Sequence, residues 1–181
     1  WIEVHAVDHC NFNCSWCHNF SPDAPQRSFE PGAYMPWLDL LIERGVWIEA
    51  ISIMGGEPFL HPDLTGFARA FAQRYRKPIM LSTNIFWLSE EDIAAHEALW
   101  GMVDSLRVSV YPTVAKRLGG MERIRALLEQ ILTYNPHICI DLPDKFVFNH
   151  LYFTDTPHEA ERFCLNADCL ALLEDGRLAR C

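Results

Sequence analysis

The chain lacks a long apolar run, an excess of basic residues and any low-complexity segment. No stretch of about eighteen consecutive apolar residues occurs, which excludes a helix that spans a membrane. The 15 lysines and arginines are outnumbered by 24 aspartates and glutamates and form no stripe, so the sequence argues against a nucleic-acid partner, whose phosphates need a basic face. No repeat or linker divides the 181 residues, a length that suits one sizeable core.

A secretion signal is also missing from this sequence, which begins at Trp1 and not at a methionine, and we expect a cytoplasmic protein. In that compartment cysteines serve as metal ligands or reactive thiols more often than as disulfides. Of the seven cysteines, three lie between positions 10 and 17 and three between 164 and 181. The remaining one, Cys139, lies in an apolar segment, which predicts a small buried side chain.

The first cysteine set follows a predicted strand and has close, unequal spacing. Three residues separate Cys10 from Cys14 and two separate Cys14 from Cys17, so a tight loop can bring the three thiolates to one small object. Thiolates in such a loop favour soft metals or iron–sulfur clusters. Three of them leave one iron of a 4Fe-4S cluster without a protein ligand. A structural zinc site, the alternative, needs a fourth ligand, for which the adjacent His18 is the obvious candidate.

Two motifs together carry a family resemblance. The C-x3-C-x2-C spacing, with Trp16 directly before its last cysteine, resembles the cluster loop of radical S-adenosylmethionine (radical SAM) enzymes. Residues 51–58, ISIMGGEP, resemble the glycine-glycine-glutamate segment at the end of the second strand in that family. Each motif ends a predicted strand and the two occur in the expected order, which favours this resemblance over a zinc site. The resemblance covers most of the chain, although outside the two motifs it is one of pattern and not of residue identity.

Strands and helical segments alternate along the chain. We predict strands at 2–8, 47–54, 78–83, 105–111, 138–142 and 146–153, and helices at 32–44, from Pro62 to 75, from Ser89, and at 114–134 with an interruption at Gly119-Gly120. This alternation predicts an α/β fold with a parallel sheet, whose chemistry lies at the carboxyl ends of its strands. The resemblance further implies a partial (β/α)6 barrel over residues 1–155, with the cofactors at its mouth.

The resemblance implies a role for each motif residue. Cys10, Cys14 and Cys17 would hold three irons of a 4Fe-4S cluster, and S-adenosylmethionine (SAM) would chelate the fourth iron. The cofactor-binding residues would be Trp16, Gly55, Gly56, Glu57, Asn84, Ser109 and Tyr111. The glycines would let a ligand approach the backbone closely, and the last three residues stand at strand ends. The alternatives are a plain turn for the glycine segment, turn formation for the strand-end residues and loop packing for the tryptophan.

The second cysteine set flanks a predicted hairpin. An Asp-Gly pair at 175–176 between two apolar runs is a strong hairpin signal. The spacing from Gly176 to Cys181 resembles the start of the SPASM or twitch extension, which carries an auxiliary iron–sulfur cluster, so residues 156–181 would begin such an extension and be truncated within it. Its ligands would be Cys164, Cys169 and Cys181. A zinc ribbon fragment or free cysteines are the alternatives.

These implications define the expected function. A radical SAM enzyme cleaves SAM reductively to a 5′-deoxyadenosyl radical, which abstracts hydrogen from a small-molecule or peptide substrate, and an auxiliary cluster favours an oxidation. A flavodoxin or ferredoxin would be the reductant. The alternatives are a glycyl-radical-enzyme activase, an electron carrier, and a non-enzymatic zinc or iron–sulfur binding module. The electron carrier is disfavoured, because it would need four cysteines for each cluster.

Overall fold

A computed structural model describes residues 1–14, 17, 19–142 and 170–180. Within them the elements are β1 Ile2–Val7, α1 Met35–Glu43, β2 Ile51–Gly55, α2 Leu64–Tyr75, β3 Ile79–Thr83, α3 Glu90–Ala95, α4 Glu97–Trp100, β4 Ser105–Val108, α5 Pro112–Leu118, α6 Met121–Tyr134, β5 Cys139–Asp141, β6 Leu170–Leu172 and β7 Leu178–Arg180. Short 3-10 helices span Pro31–Ala33 and Pro58–Leu60. The predicted strand at 146–153 lies outside the described residues.

The strands form one open sheet in the order β5-β4-β3-β2-β1-β6-β7. Every neighbouring pair is parallel except β6 and β7, which are antiparallel. The predicted α/β class with a mainly parallel, unclosed sheet is therefore confirmed. Because β1 to β4 run in the same direction, the segments that follow them all emerge at one edge of the sheet, where the two sequence motifs also lie.

Apolar side chains fix the register of the sheet. One row crosses six strands and consists of Ile140, Leu106, Leu81, Ile53, Val4 and Leu172. The four central members of this row are at most 1% exposed, and Phe67 and Phe71 of α2 are buried in the same core. Burial of this continuous apolar row stabilises the sheet and holds the strand ends at fixed positions relative to one another.

Several local signals act as the sequence predicts. The hydroxyl of Ser89 accepts a hydrogen bond from the backbone N–H of Asp92 at 3.1 Å and caps α3. Gly119 adopts a φ of 86°, in the left-handed region, and together with Gly120 separates α5 from α6.

Other boundaries differ from the predictions. The strand predicted from residue 47 begins only at Ile51, because Ile51 lies opposite Ile2 and Ile79, the first residues of both neighbouring strands. Pro62 does not enter a helix, since Asp63 caps α2 by accepting a 2.8 Å hydrogen bond from the backbone of Gly66. Pro112 starts α5 at a position where its missing N–H costs no hydrogen bond.

Two further findings concern exposure. The prediction that Cys139 is buried is wrong, because it lies on β5, the outermost parallel strand, with its side chain exposed. In the described part of the chain, the helices are too short or too polar for any of them to cross a membrane.

The predicted hairpin is confirmed and docks beside β1. Gly176 adopts a φ of 85° in the turn between β6 and β7. The indole of Trp37 on α1 donates a 3.1 Å hydrogen bond to the carbonyl of Glu174 and occupies the space that a side chain at Gly176 would need. Arg27 lies between Asp8 and Glu174, at 2.9 Å and 3.0 Å from their carboxylates. These contacts hold the turn of the hairpin next to the carboxyl end of β1.

Candidate active site

The cysteine loop leaves the carboxyl end of β1. Cys10, Cys14 and Cys17 are free thiols of intermediate exposure. Burial raises the pKa of Cys10, the N–H of Phe12 lowers it, and the neighbouring thiols Cys14 and Cys17 raise it further. Burial also raises the pKa of Cys14, and Cys17 adds to that increase. The thiols therefore influence one another electrostatically, as three groups on one short loop must.

The donor set of this loop fits an iron–sulfur cluster. It offers three free thiols, the ligands that such clusters require. Among the residues that the structure describes, no three histidine, cysteine, aspartate or glutamate side chains converge closely enough to hold a single metal ion. A cluster binds each thiolate at a different iron, so its ligands do not have to meet at one point. The alternative zinc ligand His18 lies outside the described residues.

The two glycines of the second motif seat this loop on the sheet. A Cβ atom at Gly55 would overlap the carbonyl of Val7, and one at Gly56 would overlap the carbonyl of His9. The backbone N–H of Gly56 donates to Val7 at 3.0 Å, and that of Glu57 donates to His9 at 3.1 Å. The partner that approaches these glycines closely is thus the chain that leads into the cysteine loop, and their contact with a cofactor stays a prediction.

The side chain of Glu57 is buried, with 1% exposure. Its carboxylate accepts hydrogen bonds from the hydroxyl of Thr83 at 2.7 Å, from the N–H of Asn84 at 2.8 Å and from the N–H of Phe59 at 3.3 Å. Burial raises the pKa of Glu57 to about 7, against the lowering effect of these donors. The carboxylate therefore joins the end of β2 to the end of β3.

Asn84, directly after β3, extends this connection to the cysteine loop. Its side-chain N–H donates a 2.7 Å hydrogen bond to the amide oxygen of Asn11 and lies 3.7 Å from the sulfur of Cys10. Its own amide oxygen accepts a 2.9 Å hydrogen bond from the backbone of Phe86. The structure thus brings Asn84 to the loop, as its position at a strand end indicates.

Tyr111 reaches the loop from the end of β4. Its ring packs against Phe12 with centroids 5.5 Å apart, and a hydrogen bond with its hydroxyl lowers the pKa of Cys14. Burial raises the pKa of Tyr111 to about 12, and the nearby Cys14 thiol raises it too. Ser109 is half-buried at the same strand end, and its backbone N–H donates to the carbonyl of Thr83 at 2.9 Å.

Several residues of this site are not among those predicted from the sequence. Asn19 donates a 2.6 Å hydrogen bond to the carbonyl of Gly55, and Arg117 donates one of 2.6 Å to the carbonyl of Phe86. Asn11 and Thr83 could have been found, since they lie within the cysteine motif and at the last position of a strand. Nothing in the sequence indicates the contacts of Asn19 and Arg117. The predicted site residues Trp16, Cys164, Cys169 and Cys181 lie outside the described residues.

Residues 5–111 match the sequence profile of the family described as the Radical SAM superfamily. This match spans more than half of the chain and includes the cysteine loop, the glycine segment and Tyr111. The chain belongs to the radical SAM superfamily. Members of this superfamily are enzymes, and membership implies a 4Fe-4S cluster and SAM as cofactors.

Two curated relatives are similar in sequence to this radical SAM chain. The GTP 3',8-cyclase of Acaryochloris marina (strain MBIC 11017) is 32% identical over 95 residues, which are 49% of this chain and 28% of that protein. A probable GTP 3',8-cyclase of Saccharolobus solfataricus (strain ATCC 35092 / DSM 1617 / JCM 11322 / P2) is 24% identical over 125 residues, 67% of this chain and 39% of that protein. The matched segments thus span well under half the length of either relative.

Solved structures support the fold of the radical SAM chain. BtrN in complex with AdoMet and 2-DOIA has a TM-score of 0.63 and 20% identity, covering 99% of this chain and 72% of that one. SuiB of Streptococcus suis bound to S-adenosylmethionine has a TM-score of 0.52 and 15% identity, covering 77% of this chain and 31% of that one. At these identities the likeness extends to the fold alone.

Proposed function

We propose that this chain is the core of a radical SAM enzyme that abstracts hydrogen from a small-molecule or peptide substrate. When bound, the 4Fe-4S cluster and SAM would supply reductive cleavage of SAM to a 5′-deoxyadenosyl radical. The observation that carries the proposal is the position of three free thiols at the end of β1, directly beside the Gly55-Gly56-Glu57 segment at the end of β2. Superfamily membership supports it.

The chain's own residues would hold and enclose the cofactors. Cys10, Cys14 and Cys17 would ligate the cluster. The ring of Phe12, within the loop, packs against that of Tyr111, and the two rings would help to exclude water from the reacting atoms. The backbone of the glycine segment and the side chain of Ser109 would bind SAM, together with Trp16.

The substrate is best sought among small molecules. The names of the curated relatives specify GTP, and BtrN was solved with 2-DOIA. Both point to metabolites of modest size, although a peptide would also be compatible with this site. We further propose a cytoplasmic location and a flavodoxin or ferredoxin as reductant, in keeping with cofactor chemistry that starts with a single-electron reduction.

The hairpin supports an auxiliary iron–sulfur cluster in a SPASM or twitch-like extension over residues 156–181. Leu170 and Arg180 pair with each other beside Ile2, at the amino end of β1, whereas Cys10 follows its carboxyl end. An auxiliary cluster in this extension would use Cys164, Cys169 and Cys181, and its role would be to assist oxidation of the substrate.

Anaerobic reconstitution with iron and sulfide, followed by SAM and dithionite, tests the proposed function. We expect a brown protein that forms 5′-deoxyadenosine. Cys14→Ala should abolish this product, whereas Cys139→Ala, which removes an exposed cysteine on β5, should leave it unchanged. A colourless protein that contains zinc and forms no 5′-deoxyadenosine would overturn the proposal in favour of a zinc-binding module.

A further inference from the structure

We propose that Asn84 is a positioning residue that clasps the cysteine loop and directs a hydrogen-bond donor at the Cys10 thiolate, and that it does not bind SAM. The strand-end location of Asn84 by itself suggests a contact with the ribose or carboxylate of the cofactor. Its side chain instead points at Asn11, within the loop. This inference rests on the proposed function, because it concerns how the loop holds a cluster.

The polar groups of Asn84 are already engaged within the protein. The side-chain N–H donates to Asn11, the amide oxygen accepts from Phe86, and the backbone N–H donates to Glu57. Because the side-chain oxygen of Asn84 accepts a hydrogen bond from the N–H of Phe86, the orientation of the side-chain amide is fixed. Its NH2 group must therefore face the loop. With 7% exposure the residue also offers little surface to a ligand. A bond to SAM would require at least one of these contacts to break.

The segment that carries Asn84 is held rigidly. The buried carboxylate of Glu57 binds its backbone, and the hydroxyl of Thr83 accepts a 3.0 Å hydrogen bond from the N–H of Ile85. Ile85 is 1% exposed and adopts a φ of 50°, a left-handed conformation that a β-branched residue avoids. Such strain costs about 1–3 kcal/mol and persists only where the surroundings enforce it. The surroundings here place the amide of Asn84 against the loop.

Two donors thereby face the sulfur of Cys10. The backbone N–H of Phe12 donates to Cys10 Sγ at 3.4 Å, and Asn84 Nδ2 approaches the same atom at 3.7 Å. Hydrogen bonds to the sulfurs of an iron–sulfur cluster raise its reduction potential and help to retain its metal. Substitution of Asn84 would therefore change the cluster even in the absence of SAM. Substitution of a residue that only binds SAM would not.

Iron retention and electron paramagnetic resonance, both measured without SAM, test this inference. The reconstituted protein is exposed to a chelator, and Asn84→Ala and Asn11→Ala should each lose iron about tenfold faster than the wild type. The double variant should lose iron no faster than the worse single variant, because both substitutions remove the same bond. The reduced spectrum should change in both alanine variants.

Asn135→Ala is the matched control. It removes a partly buried asparagine whose amide bonds the carbonyls of Trp100 and Val103, away from the loop. It should lower the melting temperature and leave iron loss unchanged. If Asn84→Ala retains iron like the wild type and only weakens SAM binding, Asn84 is a SAM ligand and the inference is wrong. If Asn84→Ala and Asn135→Ala lose iron equally fast, Asn84 contributes only to general stability and the inference is also wrong. A wild type that binds no cluster at all would instead overturn the proposed function.

Discussion

The hydroxyl of Thr83 donates a 2.7 Å hydrogen bond to the carboxylate of Glu57, which lies just past the end of the neighbouring strand β2. The same oxygen accepts hydrogen bonds from the indole of Trp87 at 3.2 Å and from the backbone of Ile85 at 3.0 Å. The acid of the glycine-glycine-glutamate motif is thus bound by the protein itself. In this chain the motif supports the cysteine loop from below. Its glycines contact the backbone of Val7 and His9, whereas its acid binds Thr83 and Asn84.

We predict that the stability of the protein falls between pH 5 and pH 8 because of Glu57. Burial raises its pKa from 4.5 to about 7 in the folded state, so the unfolded chain loses this proton first as the pH rises. Its contribution is fully present below the unfolded value and is lost as the pH passes through the folded one. The expected loss is about 2–3 kcal/mol. Urea unfolding of the wild type and Glu57→Gln at both pH values measures it.

The glutamine variant cannot ionise, so the pH-dependent part should vanish in it while the groups common to both proteins contribute equally. For each protein the free energy of unfolding at pH 8 is subtracted from that at pH 5, and the two results are compared. The pH-independent cost of replacing the carboxylate cancels in this comparison. Identical changes in urea midpoint for the two proteins would show that Glu57 titrates as it does in the unfolded chain.

A second prediction concerns the approach of the cysteine loop to the sheet. Gly56→Ala places a methyl group on the carbonyl of His9, so the loop must move away from β2. We expect a loss of about 1–3 kcal/mol, as for other overpacked positions, together with faster loss of iron from the cluster. Gly32→Ala is the control, since nothing lies within 4 Å of its added Cβ atom. Its effect should stay within about 0.5 kcal/mol, and equal effects of the two substitutions would contradict the prediction.

Elements that depend on strong local signals can be predicted from the sequence. Element boundaries and exposures that depend on neighbours distant in the sequence cannot. The serine cap of α3, the glycine break before α6 and the turn at Asp175-Gly176 each depend on a few adjacent residues, and all three are confirmed. The start of β2 depends on where β1 and β3 begin, which local sequence cannot reveal. The exposure of Cys139 likewise follows from the edge position of β5 and not from its apolar neighbours.

The candidate site shows the same division. Motif spacing is enough to place Cys10, Cys14 and Cys17 on one loop, because the cluster requires that spacing. It does not show that Asn84 reaches Asn11, seventy-three positions away, since that contact depends on the order of strands in the sheet. Long-range side-chain contacts of this kind leave no periodic signal in a single sequence.

A third prediction concerns Arg27, which links the end of β1 to the hairpin. Its guanidinium contacts the carboxylates of Asp8 and Glu174 and lies 4.5 Å from the centre of the Phe29 ring. Because its side chain is 49% exposed, solvent screens these pairs, and Arg27→Gln should cost at most about 1 kcal/mol. The effect should appear as faster amide exchange in β6 and β7 and should shrink at high salt. Unchanged exchange in the hairpin would show that Arg27 does not help to dock it.

The final prediction concerns Trp37 and Gly176, which hold the hairpin to α1. Gly176→Ala adds a methyl group that overlaps the Trp37 ring and forces alanine into a φ of 85°. The left-handed conformation alone costs about 1–2 kcal/mol, a cost that Gly45→Ala shares, since Gly45 has a φ of 79° and open space around it. The excess of Gly176→Ala over this control reports the contact with the ring.

We expect Gly176→Ala to raise amide exchange at β7 at least about tenfold, the equivalent of about 1.4 kcal/mol, above the level that Gly45→Ala produces. Trp37→Ala removes both the ring and its hydrogen bond to Glu174, and by itself this substitution should raise amide exchange in β6 and β7. In the Trp37→Ala background, the further effect of Gly176→Ala should fall to that of Gly45→Ala, because only backbone strain is left. If the excess persists without the ring, the packing of Trp37 against Gly176 contributes nothing to the position of the hairpin.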